Sequence, residues 1–425
     1  MSRPPSPVLN EKPGKRYVSY GMSQLIVQFA GVITGILIIR SIEKTEYAYY
    51  SITIGLLALL TYLLEAGPTS TLLRKLAPEN LKKESRLSIL NWAINQRVAL
   101  SFWLSAAGVL YIVIALVSLD ASNISVFAFS LLLFLNFIPI VPLGLLMVHF
   151  RSIGQIRNIQ KSNLLSASIR LLATVTLAFL GINSPFLYLL VNLLSLLAQY
   201  IYLNRKSAHK ILSNVRIRKP MRLDTNALGS TLPVAILVVA AEQIYTLLLS
   251  VFSSPAVVAE ASALTKFGAA FVVVNAIYQD VVIPRIAKTT GRRNVGNQVL
   301  KWLSVYLVAS LTLVIAVWIA APVLLQLLGK QYGGLEQELV IFCSAISLAY
   351  LSQTFDQINK SRGWTKGSYV YFPTLVLWIF ASFFLGDLNN LYNAAILFFL
   401  MPLPNLITQL LRFAYGFSKE SDSRN

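Results

Sequence analysis

Twelve apolar runs of about twenty residues constrain the fold of this chain more than any other feature of its sequence. A run of that length spans the hydrocarbon core of a bilayer as an α-helix. The chain of 425 residues is 56% hydrophobic and only 12% charged, about half the charged fraction typical of soluble domains. The sequence therefore predicts an all-α, polytopic membrane protein. Its twelve predicted transmembrane helices are residues 17–39, 46–67, 94–118, 124–148, 160–181, 184–204, 230–251, 256–282, 299–328, 335–356, 367–386 and 391–413.

Positive charges gather in alternate connections between these predicted helices. Thirty lysines and arginines fall in one set of connections and the two tails, whereas the other set holds only Arg40, Lys44 and Lys330. Because cytoplasmic loops of membrane proteins are enriched in Lys and Arg, both termini are predicted to be cytoplasmic. The same enrichment accounts for the net charge of +19. No basic block is interleaved with an aromatic docking surface, so we expect no nucleic-acid partner.

The longest and most basic predicted loop lies between the sixth and seventh helices and divides the chain into two halves. Shifting the chain by 211 residues aligns Ser51 with Ser262 and Arg74 with Arg285, and places the second predicted helix on the eighth. This pseudo-repeat predicts two six-helix lobes of the same orientation. The predicted organisation is a cytoplasmic tail at 1–16, an N-terminal lobe at 17–204, a basic cytoplasmic linker at 205–229, a C-terminal lobe at 230–413 and a cytoplasmic tail at 414–425. The polar, proline-containing start carries no cleavable signal.

Three ionisable residues fall deep within predicted helices, where an isolated charge disfavours insertion by at least about 2.5 kcal/mol. Glu242 and Lys266 each lie twelve residues from the turn near Ser254. Arg170 lies equally far from its own turn near Ile182. At a rise of about 1.5 Å per residue, all three lie roughly 18 Å below the outer surface. We therefore expect them to share a depth and to face a cavity or a partner.

Two interpretations of these charges are open. In the first, Glu242 and Lys266 neutralise each other across the helical hairpin, and the pair has only a structural role. In the second, Arg170 and Lys266 face each other across a central aqueous cavity and bind an anionic headgroup, while Glu242 tunes Lys266. Both hold if the pair changes partners between conformations.

Uncharged polar residues and one outer arginine are further candidates for this cavity. Gln24 and Gln28 are spaced i, i+4 and share a face of the first helix. Together with Asn275 they either hydrogen-bond sugar hydroxyls or pack helices together. Arg40, at the outer end of the first helix, either meets a phosphate after reorientation or pairs with Glu43 or Glu46.

Four charged residues near the inner boundary are candidates for the mouth of the cavity. Arg97 and Asp280 either line the mouth or reach the lipid headgroups by snorkelling. Arg74 and Arg285 occupy matching positions of the pseudo-repeat. They either fix the orientation of the chain or guide a negatively charged headgroup into the cavity.

The sequence lacks the features of an enzyme or a metalloprotein. It contains no G-x-x-x-x-G-K-[ST] phosphate loop, no long soluble loop, and no nucleophile–base set with credible spacing. The only cysteine is Cys343, and the two histidines, His149 and His209, are far apart. We therefore expect no enzymatic activity, no disulfide, no metal site and no cofactor.

Three stretches of the chain carry a resemblance to a known family. They are RSIEKTEYAYYSITIGLLALLTYLLEAGPTSTLLRK at 40–75, YQDVVIPRIAK at 278–288 and LLGKQYGGLEQEL at 327–339. These stretches resemble polysaccharide flippases, the O-antigen translocase group of the multidrug/oligosaccharidyl-lipid/polysaccharide exporter superfamily. The twelve predicted helices argue against the cell-wall-precursor flippases of that superfamily, which usually carry more.

The resemblance implies a two-lobed, V-shaped transporter bundle in the bacterial inner membrane. Such a protein moves undecaprenyl-pyrophosphate-linked oligosaccharide from the inner to the outer leaflet by alternating access, for O-antigen and lipopolysaccharide biosynthesis. It also implies a coupling ion, H⁺ or Na⁺, or consumption of the product outside, and a polymerase and a chain-length regulator as pathway partners.

Two other functions remain open at this point. One is a drug or metabolite cation antiporter of the same superfamily, with Glu242 or Asp280 as the ion site. The other is a non-transporting scaffold of a glycan-assembly complex. Because two of the three deep charges are basic, the sequence favours an anionic substrate over a cationic drug.

Overall fold

The computed structural model describes residues 13–66, 83–153, 155–207, 232–278, 282–364 and 366–419. Within these ranges the regular structure is entirely helical. The α-helices are α1 Pro13–Ser41, α2 Lys44–Ala66, α3 Lys83–Val117, α4 Asn123–Ser152, α5 Ile156–Phe179, α6 Pro185–Lys206, α7 Leu232–Phe252, α8 Pro255–Leu264, α9 Ala269–Ile277, α10 Ile283–Lys288, α11 Arg292–Leu328, α12 Glu336–Arg362, α13 Tyr371–Phe384, α14 Leu391–Leu400 and α15 Leu403–Ser418.

Each of the twelve predicted crossings corresponds to a helical segment of the described chain. Nine segments are long and apolar enough to cross a membrane. Three shorter apolar helices, Leu25–Ser41, Ile236–Phe252 and Ser368–Phe384, account for the remaining crossings. The prediction of an all-α, polytopic fold is therefore confirmed.

The largest differences from the predicted boundaries lie at the polar ends of two helices. Helix α3 begins at Lys83 rather than at residue 94, and α11 begins at Arg292 rather than at residue 299. In α11 the added turns carry exposed polar side chains, including Arg292, Arg293 and Asn294. Hydropathy detects only the apolar part of such a helix, whereas backbone hydrogen bonding continues into the polar part.

Two crossings are interrupted in the middle. A 3₁₀ turn, Thr265–Gly268, separates α8 from α9. A break at Met401 and Pro402 separates α14 from α15, because proline has no N–H to continue the helical hydrogen bonds. Short 3₁₀ stretches inside a helix often mark a hinge, and the first of these two carries Lys266.

The helices pack into two groups, α1–α6 and α7–α15, which we call the N-terminal and C-terminal halves. In the N-terminal half, α5 packs on α1 and α6, and α4 packs on α3 and α6. In the C-terminal half, α12 is central and contacts α11, α14 and α15. The main contact between the halves joins α2 to α8, the two helices that the 211-residue shift aligns. The basic linker falls mostly outside the described residues.

Candidate functional site

Contacts between the halves close one end of the bundle. Lys44, the first residue of α2, places its Nζ 2.6 Å from Oε1 of Glu260 on α8. The same ammonium lies 5.2 Å from the ring centroid of Tyr332 in the α11–α12 connection. We call this end, which holds the α1–α2, α7–α8 and α11–α12 turns, the closed end.

A second layer of contacts lies deeper in the bundle. The Tyr111 hydroxyl on α3 donates a 2.8 Å hydrogen bond to the Gln243 carbonyl on α7. The Gln243 amide also packs against Gly55 of α2, where an added Cβ would lie 3.0 Å from Nε2. All the described hydrogen bonds and ion pairs that join the halves belong to these two layers.

Glu242 lies next to Gln243 on α7, Lys266 lies in the 3₁₀ turn that follows α8, and both side chains are exposed. They interact electrostatically with each other, and Glu242 also interacts with Tyr350 of α12. No ion pair within 4.0 Å joins them among the described residues. The two charges are therefore exposed neighbours without a direct ion pair.

Helix α1 of the N-terminal half approaches Lys266 of the C-terminal half. A Cβ added to Gly35 of α1 would lie 4.0 Å from Cδ of Lys266, an ordinary van der Waals distance, so the lysine stem passes close to this helix. Gln28 is exposed and lies seven residues before Gly35, two helical turns away on the same face. Gln28 thus lies on the face of α1 that Lys266 approaches. Gln24 belongs to α1 as well, but its side chain lies outside the described residues.

Arg170 extends from α5 toward α2. It is partly exposed and interacts electrostatically with Tyr50 of α2. Its Nε is buried without a hydrogen-bond partner in the described part of the chain. Tyr50 and Gly35 each lie six residues from the helix ends at Lys44 and Ser41, or about 9 Å below the closed end. The Arg170 and Lys266 side chains therefore reach toward the same level, nearer the closed end than their own Cα positions.

Asn275 sits on α9 and is buried. Its amide donates to Oε1 of Gln353 on α12 at 3.3 Å, and its own Oδ1 is buried without a partner among the described residues. The hydrogen bond to Gln353 makes it a packing contact between α9 and α12.

The position of Arg97 contradicts the expectation that it lines a cavity mouth or snorkels to the lipid headgroups. Only 1% of it is exposed, inside the N-terminal half. Its Nε donates to the Val141 carbonyl at 2.8 Å, and its Nη1 and Nη2 donate to the carbonyls of Leu64 and Ile140, each at 3.3 Å. Gly144 of α4 leaves the space that the guanidinium fills. Because carbonyl acceptors satisfy the charge inside the protein, Arg97 does not need to reach water.

The other predicted residues lie at the two ends of the bundle. Arg40 is exposed and lines a surface pocket of about 470 Å³ at the closed end, together with Asn183 and Lys330. No ion pair under 4.0 Å joins it to Glu43 or Glu46 in the described residues. Arg285 is exposed, and its guanidinium lies 5.8 Å from the Trp302 ring centroid. Arg74 and Asp280 lie outside the described residues.

The candidate site offers charged side chains and no metal-binding cluster among the described residues. Within the described ranges, no group of three or more His, Cys, Asp or Glu side chains is placed to hold a metal ion. The charged groups available instead are the exposed Lys266 ammonium and Glu242 carboxylate and the partly exposed Arg170 guanidinium. Sequence reasoning found these three charges, but it missed Lys44, Glu260 and Tyr332. Their signal was weak, because each lies near a helix end where charged and aromatic residues are common.

Comparison with known proteins identifies the fold. No protein-family model and no curated protein matches the chain. Among solved structures, it is similar to an inward-facing multidrug resistance MATE family transporter of the MOP superfamily (14% identity, TM-score 0.70, covering 94% of this chain and 96% of that one). It is also similar to the lipid II flippase MurJ in an inward closed conformation (13% identity, TM-score 0.70, covering 95% and 90%).

The arrangement of helices agrees less well with an outward-facing form. An outward-facing MATE family transporter of the MOP superfamily gives a TM-score of 0.50, at 15% identity and with 93% of this chain and 92% of that one covered. At such identities the likeness concerns the fold. The chain therefore has the all-α, multi-pass transporter fold that MATE transporters and MurJ share.

Proposed function

We propose that this protein is a flippase that moves undecaprenyl-pyrophosphate-linked oligosaccharide from the cytoplasmic to the outer leaflet of a bacterial inner membrane, for the synthesis of a surface polysaccharide. The observation that carries the proposal is the basic side chain of Lys266, exposed between the halves opposite Gly35 of α1. Arg170 adds a second cation with an unpartnered Nε. Ammonium and guanidinium groups form strong, charge-assisted hydrogen bonds with phosphate oxygens.

In this proposal the closed end faces the outside of the cell. The few positive charges of the predicted outer connections, Arg40, Lys44 and Lys330, all belong to this end. The better agreement with inward-facing neighbours points the same way. The space beside Lys266 then opens to the cytoplasm, and both termini are cytoplasmic.

Transport requires the closed end to open and the opposite end of the bundle to close. The diphosphate binds between Lys266 and Arg170, the sugars contact polar groups such as Gln28, and the polyprenyl tail stays in the lipid. Rocking of the two halves then closes the cytoplasmic end and opens the other end. A proton or sodium gradient, or consumption of the product by a polymerase and a chain-length regulator outside, supplies the direction.

Reconstitution tests this assignment. We expect the purified protein in liposomes to flip polyprenyl-pyrophosphate-linked oligosaccharide, and Lys266→Ala and Arg170→Ala to slow flipping by about tenfold or more, equivalent to about 1.4 kcal/mol. Arg293→Ala is the matched control, because it removes an exposed positive charge at the start of α11. Wild-type flipping rates in both site variants, at equal protein levels, would contradict the assignment.

A second candidate is a cation antiporter, and the exposed Glu242 side chain on α7 favours it. A carboxylate inside a membrane bundle is a candidate proton or sodium site. For an antiporter, Glu242→Gln abolishes ion-coupled efflux of a cationic dye. For the flippase, the same substitution leaves the flipping of the anionic lipid intact.

A further inference from the structure

The closed end contains one ion pair that crosses between the halves. Lys44 of α2 and Glu260 of α8 are 2.6 Å apart, and their side chains are only 25% and 15% exposed. The other ion pairs of the described residues, Lys360–Asp356 and Arg412–Asp356, both lie within the C-terminal half. Partial burial weakens screening by water and salt, so the Lys44–Glu260 pair contributes more than an exposed one.

Buried aromatic residues lie beside this partly exposed ion pair. Tyr332 is fully buried and lies under the Lys44 ammonium. Burial and the negative charge of Glu260 both raise the pKa of Tyr332, so its hydroxyl stays neutral. Tyr47 is 1% exposed and stacks with Tyr50 at a centroid distance of 6.2 Å. The surroundings thus favour a closed pair and disfavour two separated, dehydrated charges.

The pair and the cationic site share one helical segment. Glu260 and Lys266 are six residues apart, and the 3₁₀ turn at Thr265–Gly268 lies at the Lys266 end. The segment that carries Glu260 thus continues directly into the turn that carries Lys266.

We infer that Lys44, Glu260 and Tyr332 form a latch between the halves, which holds this end shut and separates when the end opens. Opening must break the ion pair and the cation–π contact, and must also break the Tyr111–Gln243 hydrogen bond. This inference rests on the proposed function only in that a transporter needs its closed end to open. The test below measures conformation and requires no transported substrate.

Distances between spin labels test the latch. Asn123 and Asn389 are exposed near the closed end, one in each half, and each is replaced by a labelled cysteine in a Cys343→Ala background. We expect Lys44→Glu alone, or Glu260→Lys alone, to raise the ratio of open to closed molecules about tenfold in liposomes, through like-charge repulsion. The exchanged pair Lys44→Glu/Glu260→Lys restores the wild-type distribution, because the attraction returns.

Matched controls separate the latch from a general loss of charge. Glu43→Gln and Lys330→Gln change exposed charges close to the latch and should leave the distances unchanged. Single latch variants that behave like these controls would overturn the inference. So would an opening that the exchanged pair fails to reverse. Normal latch behaviour without any flipping would instead count against the proposed function alone.

Discussion

At the scale of single residues, Arg97 shows how a charge is accommodated inside the N-terminal half. Its guanidinium donates hydrogen bonds to carbonyls of α2 and α4. A buried charge costs several kcal/mol unless such partners satisfy it. Gly144 makes the arrangement possible, because any side chain there would overlap the guanidinium. The residue therefore joins three helices and does not take part in the proposed site.

Gly144→Ala tests this role. We expect it to lower the free energy of unfolding by about 1–3 kcal/mol, because the methyl group displaces the guanidinium from its acceptors. Thermal unfolding in detergent measures the loss. Gly31→Ala is the control, since an added Cβ there meets nothing within 4 Å. Equal melting temperatures for the two variants would contradict the role of the Arg97 slot.

The same residue marks the limit of sequence reasoning at this scale. Position within a hydrophobic run identified Arg170, Glu242 and Lys266 as charges that need a cavity or a partner, and in the structure the side chains of Glu242 and Lys266 are exposed neighbours. For Arg97 the same reasoning predicted either a place at a cavity mouth or snorkelling to the lipid headgroups. It failed because the acceptors are carbonyls of distant residues, which no spacing rule relates to position 97.

At the scale of elements, the α8–α9 crossing differs from the continuous helices because a 3₁₀ turn interrupts it. Gly268 ends its 3₁₀ turn and packs against Ile346 of α12, where an added Cβ would lie 2.5 Å from Cδ1. The close approach holds the turn, and thus Lys266, in place against the central helix of the C-terminal half. We interpret the turn as a hinge between the latch and the cationic site.

A double-mutant cycle tests that packing. Gly268→Ala alone should lower the free energy of unfolding by about 1–3 kcal/mol through overpacking. Ile346→Ala removes the atoms that the new methyl group meets, so the double variant should lose less than the two single losses together. Melting temperatures in detergent give the comparison. Strict additivity of the two losses would show that Gly268 and Ile346 do not constrain each other.

Hydrophobic run length predicted the number and order of these elements well. It predicted all twelve crossings, and seven of the α-helices begin within two residues of the expected position, for example α4 at Asn123 and α7 at Leu232. It missed the 3₁₀ turn because Thr265–Gly268 contains no proline and no charge other than Lys266. The break depends on the close packing of Gly268 against Ile346, which is a tertiary contact.

At the scale of the whole molecule, the two halves meet at a closed end and carry exposed charged side chains deeper in the bundle. Contacts between α2 and α8 shut one end. Lys266 and Glu242 are exposed beyond those contacts. The fold is that of known transporters. The proposed substrate depends on the sign of the charges at the candidate site. The basic Lys266 and Arg170 favour an anionic lipid, whereas carboxylates alone would favour a cationic drug.

Binding of undecaprenyl pyrophosphate to purified protein in nanodiscs distinguishes a site for an anionic lipid from a site for a cation. We predict that Lys266→Gln weakens binding about tenfold, because the diphosphate loses a charge-assisted contact. Glu242→Gln should bind as tightly as the wild type or more tightly, because a repelling carboxylate is removed. Unchanged affinity in Lys266→Gln, or loss of binding in Glu242→Gln, would contradict an anionic-substrate site between the halves.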